Sequence, residues 1–193
     1  MSKVLIIYCH TNPKSFNHAL KERLEEELKI AGAEIRTRDL YQIKFDSVLD
    51  GDDFMEFKSG KIPEDIAREQ AEILWADSLA FIYPMWWFDR PALLKGYIDR
   101  VFSYGFAFKY LPEGAVGLLH HKKALVLMTT GTPELGLAAV KETLPVAMRD
   151  GTLRFSGIKE VIWKTFYGVV PATDDVRKSM LEEIPALAKA LVK

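Results

Sequence analysis

Three short runs, Val4 to Tyr8, Ser78 to Tyr83 and Ala124 to Thr130, are apolar at nearly every position. A strand sends successive side chains to opposite faces, so a run without polar alternation must be covered on both of them. Parallel sheets meet that demand, because their crossover connections lay helices on either face. The segments between the runs have the matching helical period. Leu20, Leu24, Leu28 and Ala31 fall on one face, charged residues occupy the other, and Gly32 stands where a helix stop belongs. Lys21 with Glu25, and Glu25 with Lys29, are helix-spaced pairs worth only tenths of a kcal/mol, so this face is read as solvated. Ala33 to Asp39 alternates as an outer strand would. Ile62 to Trp75, with Ile66, Ile73 and Leu74 on one side, reads as a helix, and a further one follows Pro91 with Leu94, Ile98, Val101 and Phe102 as its stripe. Gly136 to Arg149 is predicted helical despite Pro145, Gly157 to Tyr167 is a fifth strand, and Asp174 to Val192 is a closing helix that Pro185 kinks or splits.

Five strands alternating with helices predict an α/β three-layer sandwich around a parallel sheet of order 2-1-3-4-5, as one domain over residues 1–193. The chain has 49% apolar residues and a formal net charge of -1, which supplies no field for nucleic acid or an acidic membrane surface. Its one cysteine, Cys9, excludes an internal disulfide framework, and no apolar run reaches membrane-spanning length. The cytosol is the expected compartment. Residues 40–60 have no convincing period and read as a long excursion, whose aspartates lack the spacing of a calcium loop. The pair His120 and His121 reads as an exposed turn, not as metal ligands, and no metal site is expected.

In that strand order the topological switch point lies between the first and third strands. Three loops meet there: His10 to Asn17, Pro84 to Arg90, and Thr129 to Pro133. The first offers Lys14, Ser15, Asn17 and a helix N-terminus, which suits a phosphate. It has neither Gly-x-x-x-x-Gly-Lys-Ser/Thr nor Gly-x-Gly-x-x-Gly, so nucleotide hydrolysis and a dinucleotide fingerprint of that type are unsupported. Cys9 and Ser15 lack a nucleophile's sequence context, and His10 and His18 have no evident carboxylate partner. The second loop places Pro84, Met85, Trp86, Trp87 and Phe88 at the carboxyl edge of a strand. So many large groups there suit a planar ligand, or else they cover a core or a subunit contact. In the third, Thr129, Thr130, Gly131 and Thr132 either let backbone N–H groups approach a ligand or form an ordinary turn. Phosphate loop, aromatic platform and small-residue loop together fit a flavin.

Several of these motifs resemble those of the NAD(P)H quinone oxidoreductase family, the DT-diaphorase-like branch of the flavodoxin-like flavoproteins, with its bacterial general stress and quinone reductase members. His10-Thr-Asn-Pro-Lys-Ser-Phe-Asn17 is similar to the family's flavin-phosphate loop, and Tyr83-Pro-Met-Trp-Trp-Phe88 with Pro91 to Phe102 resembles its longest signature. Thr129-Thr-Gly131 and Phe106-Ala-Phe-Lys-Tyr110 resemble its ring-edge and substrate-pocket segments. The resemblance implies a three-layer flavodoxin-like sandwich. His10, Lys14, Ser15, Phe16 and Asn17 are then phosphate and ribityl contacts, and Pro84, Met85, Trp86, Trp87 and Phe88 are ring contacts. Thr129, Thr130, Gly131 and Thr132 meet the ring edge, and Trp87, Phe88, Phe108 and Tyr110 line the substrate pocket. Asp99 and Arg177 resemble positions that touch the adenylate half of FAD, which favours FAD over FMN. The implied activity is ping-pong hydride transfer from NAD(P)H through the flavin to a quinone or similar acceptor. The second reading is a redox-sensing regulatory flavoprotein subunit of a membrane transport system. Two departures stand out. The tyrosine and histidine that assist hydride transfer in longer members are absent after Gly131, where Thr132-Pro-Glu-Leu follows, and Phe108 replaces a pocket tyrosine. The aromatic excess of residues 40–57 and 102–110 implies a homodimer.

Overall fold

The computed structural model describes residues 1–193. In chain order its elements are β1 (Lys3–Tyr8), α1 (Phe16–Ile30), β2 (Glu34–Asp39), α2 (Gly51–Lys58), α3 (Glu64–Trp75), β3 (Ser78–Pro84), α4 (Ala92–Val101), β4 (Phe108–Leu111), β5 (Gly114–Gly117), β6 (Lys123–Thr129), β7 (Glu160–Phe166), α5 (Asp174–Leu181) and α6 (Ile184–Val192). Five strands form one sheet of order β2-β1-β3-β6-β7, parallel throughout, which is the expected 2-1-3-4-5 order of a flavodoxin-like sandwich. Burial follows the strand period. Leu5, Ile7, Cys9, Leu79, Phe81 and Tyr83 pack into the core under α3 and α4, while Val4, Ile6, Tyr8, Ala80 and Ile82 pack under α1 and α6. Every residue of β3 is buried, as a central strand between two helical layers requires.

Register puts the strand ends level. Tyr8 pairs with Ile82 and Pro84 with Thr129, and the Cys9 and Met85 N–H groups donate to Ile82 O (3.0 Å) and Thr129 O (2.7 Å). The loops after β1, β3 and β6 therefore leave the sheet at one edge, the carboxyl edge where open parallel sheets receive ligands.

Several sequence expectations change here. The excursion over 40–60 contains α2, capped by the Asp50 side chain, which accepts from the Asp52 and Asp53 N–H groups. It had no apolar stripe to detect because the side chain it buries is a charge, Asp53, which pairs with buried Arg100 at 2.7 Å. Leu74 is exposed and does not belong to the α3 stripe. The predicted helix over 136–149 is instead a single tight turn, Glu134–Leu137, followed after Pro145 by a widened helix, Val146–Arg154. Pro145 stands at the N-terminal boundary of the widened helix, where its missing N–H breaks no ladder. The closing helix splits in two, with Pro185 in the first turn of α6. A two-stranded antiparallel hairpin, β4 with β5, follows α4 and begins within the aromatic segment Phe106–Tyr110. His121 is no exposed turn: its Nε2 lies 2.8 Å from Ile73 O, and burial lowers its pKa.

Candidate functional site

Loop one is locked by its own polar groups. The Asn12 N–H donates to His10 Nδ1 (2.9 Å), the Lys14 N–H to Asn12 Oδ1 (2.8 Å), and the His18 N–H to the Ser15 hydroxyl (3.2 Å), which caps α1. The helix that follows has fifteen residues and no acidic residue in its first turn, so its N-terminal N–H groups and Lys14 present an unopposed positive end. Burial lowers the His10 pKa, and the bond received at Nδ1 sets the neutral ring as the Nε2–H tautomer. Asn17 is buried behind the loop. Its Nδ2 donates to Thr129 Oγ1 at 2.7 Å, joining loop one to loop three, while its Oδ1 has no partner.

Loop two is a tight reversal. Trp86 and Asp89 exchange both backbone hydrogen bonds (2.9 and 3.1 Å), with Trp87 at φ 52° and Phe88 at φ 63° between them. Positive φ at both central positions is the type I′ geometry, which Asn-Gly adopts easily and bulky residues do not. Each residue held there costs on the order of 1–3 kcal/mol, and such strain concentrates at functional sites. The result is display: Trp87 is 96% and Phe88 58% exposed. Loop three is held by Thr130, whose hydroxyl donates to Thr132 O at 2.6 Å and accepts from the Gly168 N–H at 3.2 Å.

A cleft of about 1220 Å³ opens over these loops. It is lined by His10, Lys14, Ser15, Phe16, Asn17, Pro84, Met85, Trp86, Trp87, Phe88, Thr129, Gly131 and Thr132, and it runs on to Arg177. Arg177 is fixed by bonds to Val169 O and Asp174 (both 2.9 Å). Thr130 shapes the cleft from beneath without lining it. Three expected site residues stand apart. Asp99, one helical turn beyond Lys95 on α4, is engaged by its ammonium at 2.6 Å. Phe108 lines a second, smaller cavity together with Asp99. Tyr110 projects from the hairpin, 65% exposed. The sequence reading missed Val169, Val170, Asp174, Lys178 and Leu181, which close the far end of the cleft. The available signal was the strand before them, since the loop after β7 leaves by the same edge.

Cys9 is fully buried and its thiol is pushed up to about 12, so it is inert as a nucleophile at neutral pH. His18 does have a carboxylate partner, Glu22 at 3.2 Å one turn along α1, a spacing that was legible in the sequence.

Comparison with known proteins agrees with this architecture. Residues 2–189 match the family model described as flavodoxin-like fold. The chain is 36% identical to an uncharacterized NAD(P)H oxidoreductase of Haemophilus influenzae, covering 92% of this chain and 90% of that protein. It is 32% identical to the ribosyldihydronicotinamide dehydrogenase [quinone] of Mus musculus, covering 99% and 92%. Among solved structures it resembles the NAD(P)H:quinone oxidoreductase from Methanothermobacter marburgensis, with a TM-score of 0.91 and 35% identity over 98% of each chain.

Proposed function

The chain belongs to the flavodoxin-like fold family, among its NAD(P)H:quinone oxidoreductases, and from that membership we propose that it is a flavin-dependent oxidoreductase passing electrons from NAD(P)H to a quinone or similar acceptor. The observation that carries the reading is the strained Trp86-to-Asp89 turn, which displays two aromatic rings beside a cleft that ends at a positive helix N-terminus.

The residues present fit a flavin. Lys14, Ser15 and the first N–H groups of α1 suit its phosphate, and the unpartnered Asn17 Oδ1 suits a sugar-chain hydroxyl. Met85, Trp86, Trp87 and Phe88 supply a flat apolar wall, and the loop from Thr129 to Thr132 supplies backbone N–H groups toward the ring edge. Bound flavin supplies the two-electron chemistry that side chains lack. The chain's own contribution is binding, orientation and electrostatics. His10, neutral with its Nε2–H directed away from the loop's own bond, donates without bringing a charge into the cleft. The segment directly after Gly131, Thr132-Pro-Glu-Leu, holds no tyrosine or histidine, so charge stabilisation at a bound ring edge would fall to the backbone donors of that loop.

The finer reading is FAD. The cleft exceeds the roughly 300–1,000 Å³ of ordinary small-molecule sites and extends from Lys14 to Arg177, which leaves room for a second nucleotide beyond the phosphate loop. The acceptor is a quinone, the working form is a homodimer, and the compartment is the cytosol, where reduced nicotinamide is available. No helix is long and apolar enough to cross a membrane. The test is direct. Purified protein should be yellow, release FAD on heating, bleach with NADPH without oxygen and recover colour with a quinone. FMN in the released fraction corrects the cofactor, and a colourless protein that takes up neither flavin overturns the function.

A further inference from the structure

Two cations are buried in this chain, Arg90 at 8% and Arg100 at 5% exposure, and their surroundings differ. The Arg100 guanidinium is matched by two carboxylates, Asp53 at 2.7 Å and Asp65. Arg90 has no oxygen within hydrogen-bonding distance of its guanidinium. The half-exposed Asp89 carboxylate lies 3.7 Å from Nη1, the buried Met148 sulfur lies 4.0 Å away, and Nε has no partner. A charge held in such surroundings is screened far less than one in water, so its field extends into the structure around it.

That charge adjoins the aromatic wall of the cleft. Met85, Trp86, Trp87 and Phe88 line the cleft, two backbone bonds between Trp86 and Asp89 close their turn, and Arg90 is the next residue. Cα atoms two residues apart are separated by at most about 7.6 Å, so the wall lies within the field of Arg90, although Arg90 itself does not line the cleft. The field is felt at the end of β3. Burial pushes the pKa of the Tyr83 hydroxyl up, Arg90 pulls it back down, and Asp89 opposes Arg90 by less. The Asp89–Arg90 pair therefore acts there as a net positive charge, one residue ahead of Pro84. Two further cations nearby are neutralised, Lys95 by Asp99 at 2.6 Å and Arg177 by Asp174 at 2.9 Å.

Hydride transfer from NAD(P)H carries one hydrogen and two electrons to a flavin ring, leaving NAD(P)+ and a ring with one more negative charge. We propose that Arg90 tunes the bound flavin through its field, favouring the reduced, more negative ring over the oxidised one; this rests on the flavin reading above. Arg90 touches neither the ring nor the substrate and moves no proton. It adds to the backbone donors after Gly131 the positive charge that no side chain supplies in Thr132-Pro-Glu-Leu. A ring held reduced in this way passes its electrons readily to acceptors of high potential, as many quinones are, and poorly to those of low potential.

A unit charge at the range this spacing allows, in an effective dielectric of about 20, shifts the oxidised–reduced equilibrium by about three- to tenfold. For a two-electron couple that is about 15–30 mV. The measurements are the midpoint potential of flavin-loaded protein, by equilibration with a reference dye without oxygen, and the dissociation constant of the oxidised flavin. Arg90→Gln and Arg90→Met should each lower the potential by that amount, and Arg90→Lys should keep most of it. Both neutral variants should bind the oxidised flavin within about twofold of the parent, because that ring lacks the added charge. The difference between parent and Arg90→Gln should persist at about 1 M salt, where exposed charges are screened within about 3 Å. Coincident potentials for parent and Arg90→Gln would overturn the proposal, as would an Arg90→Lys potential as low as that of Arg90→Gln. Loss of oxidised-flavin affinity as large as the change in the redox equilibrium would instead make Arg90 a support of the turn, which also rejects it. A parent protein that takes up no flavin removes both this inference and the function it rests on, whereas flavin uptake with unmoved potentials removes this inference alone.

Discussion

At the scale of single residues, the site depends on groups whose hydrogen bonding is left incomplete. Asn17 is buried, donates through Nδ2 to Thr129 and leaves Oδ1 with no protein donor. A buried acceptor without a donor costs about 1–3 kcal/mol, and a ligand hydroxyl recovers it. Asn17→Ala should therefore weaken flavin binding by about tenfold, as measured by quenching of flavin fluorescence on titration, while moving the melting temperature little. Unchanged affinity would remove Asn17 from the site. How far such residues could be read in advance depends on how local their reasons are. Lys14, Ser15 and Asn17 were legible because helix capping is a short-range affair of a few consecutive residues. Trp87 and Phe88 were legible as flat groups at a strand end, but not as the central pair of a type I′ turn, because their residue types argue against that turn. Arg90 was illegible, since its burial is decided by packing from the hairpin and the segment after Pro145, far away in sequence.

At the scale of elements, the segment between β2 and α3 shows what patterns of apolar residues cannot report. It is fastened by polar contacts. Arg100 on α4 donates to Asp53 through both Nε (2.7 Å) and Nη2 (2.8 Å), donates also to Asp46 O (2.8 Å) and Asp65, and lies over the Phe45 ring. The backbone of the segment comes so close to α4 that a Cβ on Gly96 would sit 2.0 Å from Ser47 O. Asp53→Ala removes two charge-assisted hydrogen bonds but leaves Arg100 its second carboxylate, Asp65, so it should cost about 1.5–3 kcal/mol, read from the urea unfolding midpoint. The pH dependence has a definite sign. Arg100 holds the Asp53 carboxyl below its ordinary range. Its contribution is therefore complete above the unfolded value of about 4 and is lost as pH falls through the lower folded value. The parent should lose stability below about pH 4 more steeply than the Asp53→Ala variant, and parallel curves would show that the pair adds nothing. The three inner strands β1, β3 and β6, by contrast, were legible nearly to the residue, because strands covered on both faces demand apolar runs whatever else the chain does, whereas the β4–β5 hairpin, with no such demand, was not.

At the scale of the whole molecule, the surface carries more exposed aromatic area than a free domain of this size has reason to keep. Tyr104 and Tyr110 are 61% and 65% exposed and lie 6.2 Å apart, near-parallel, with Phe108 set edge-on to both. Leu111, Val116 and Phe155 are also exposed, on the hairpin and the segment packed against it, and Phe54 and Met55 are exposed on α2. The strained display of Trp87 and Phe88 adds to this. Apolar groups clustered on a surface, with tyrosines prominent among them, have the composition of an association face. Of the aromatics in residues 102–110 that argued for a dimer from sequence, Tyr104 and Tyr110 are exposed at and beside the hairpin, whereas Phe102 is core, as is Phe45 of the earlier stretch, which packs on Tyr97 at 5.0 Å. That difference locates the expected contact at the hairpin and away from Phe45. Sedimentation at micromolar concentration should give twice the 21.9 kDa of the chain. Tyr110→Glu, which sets a charge on the exposed ring position without touching the core, should shift that species toward monomer by at least tenfold in dissociation constant, because buried aromatics at such faces commonly account for 2 kcal/mol or more, roughly, each. A parent that sediments as a monomer would remove the dimer, and a Tyr110→Glu variant that stays dimeric would move the contact off the hairpin.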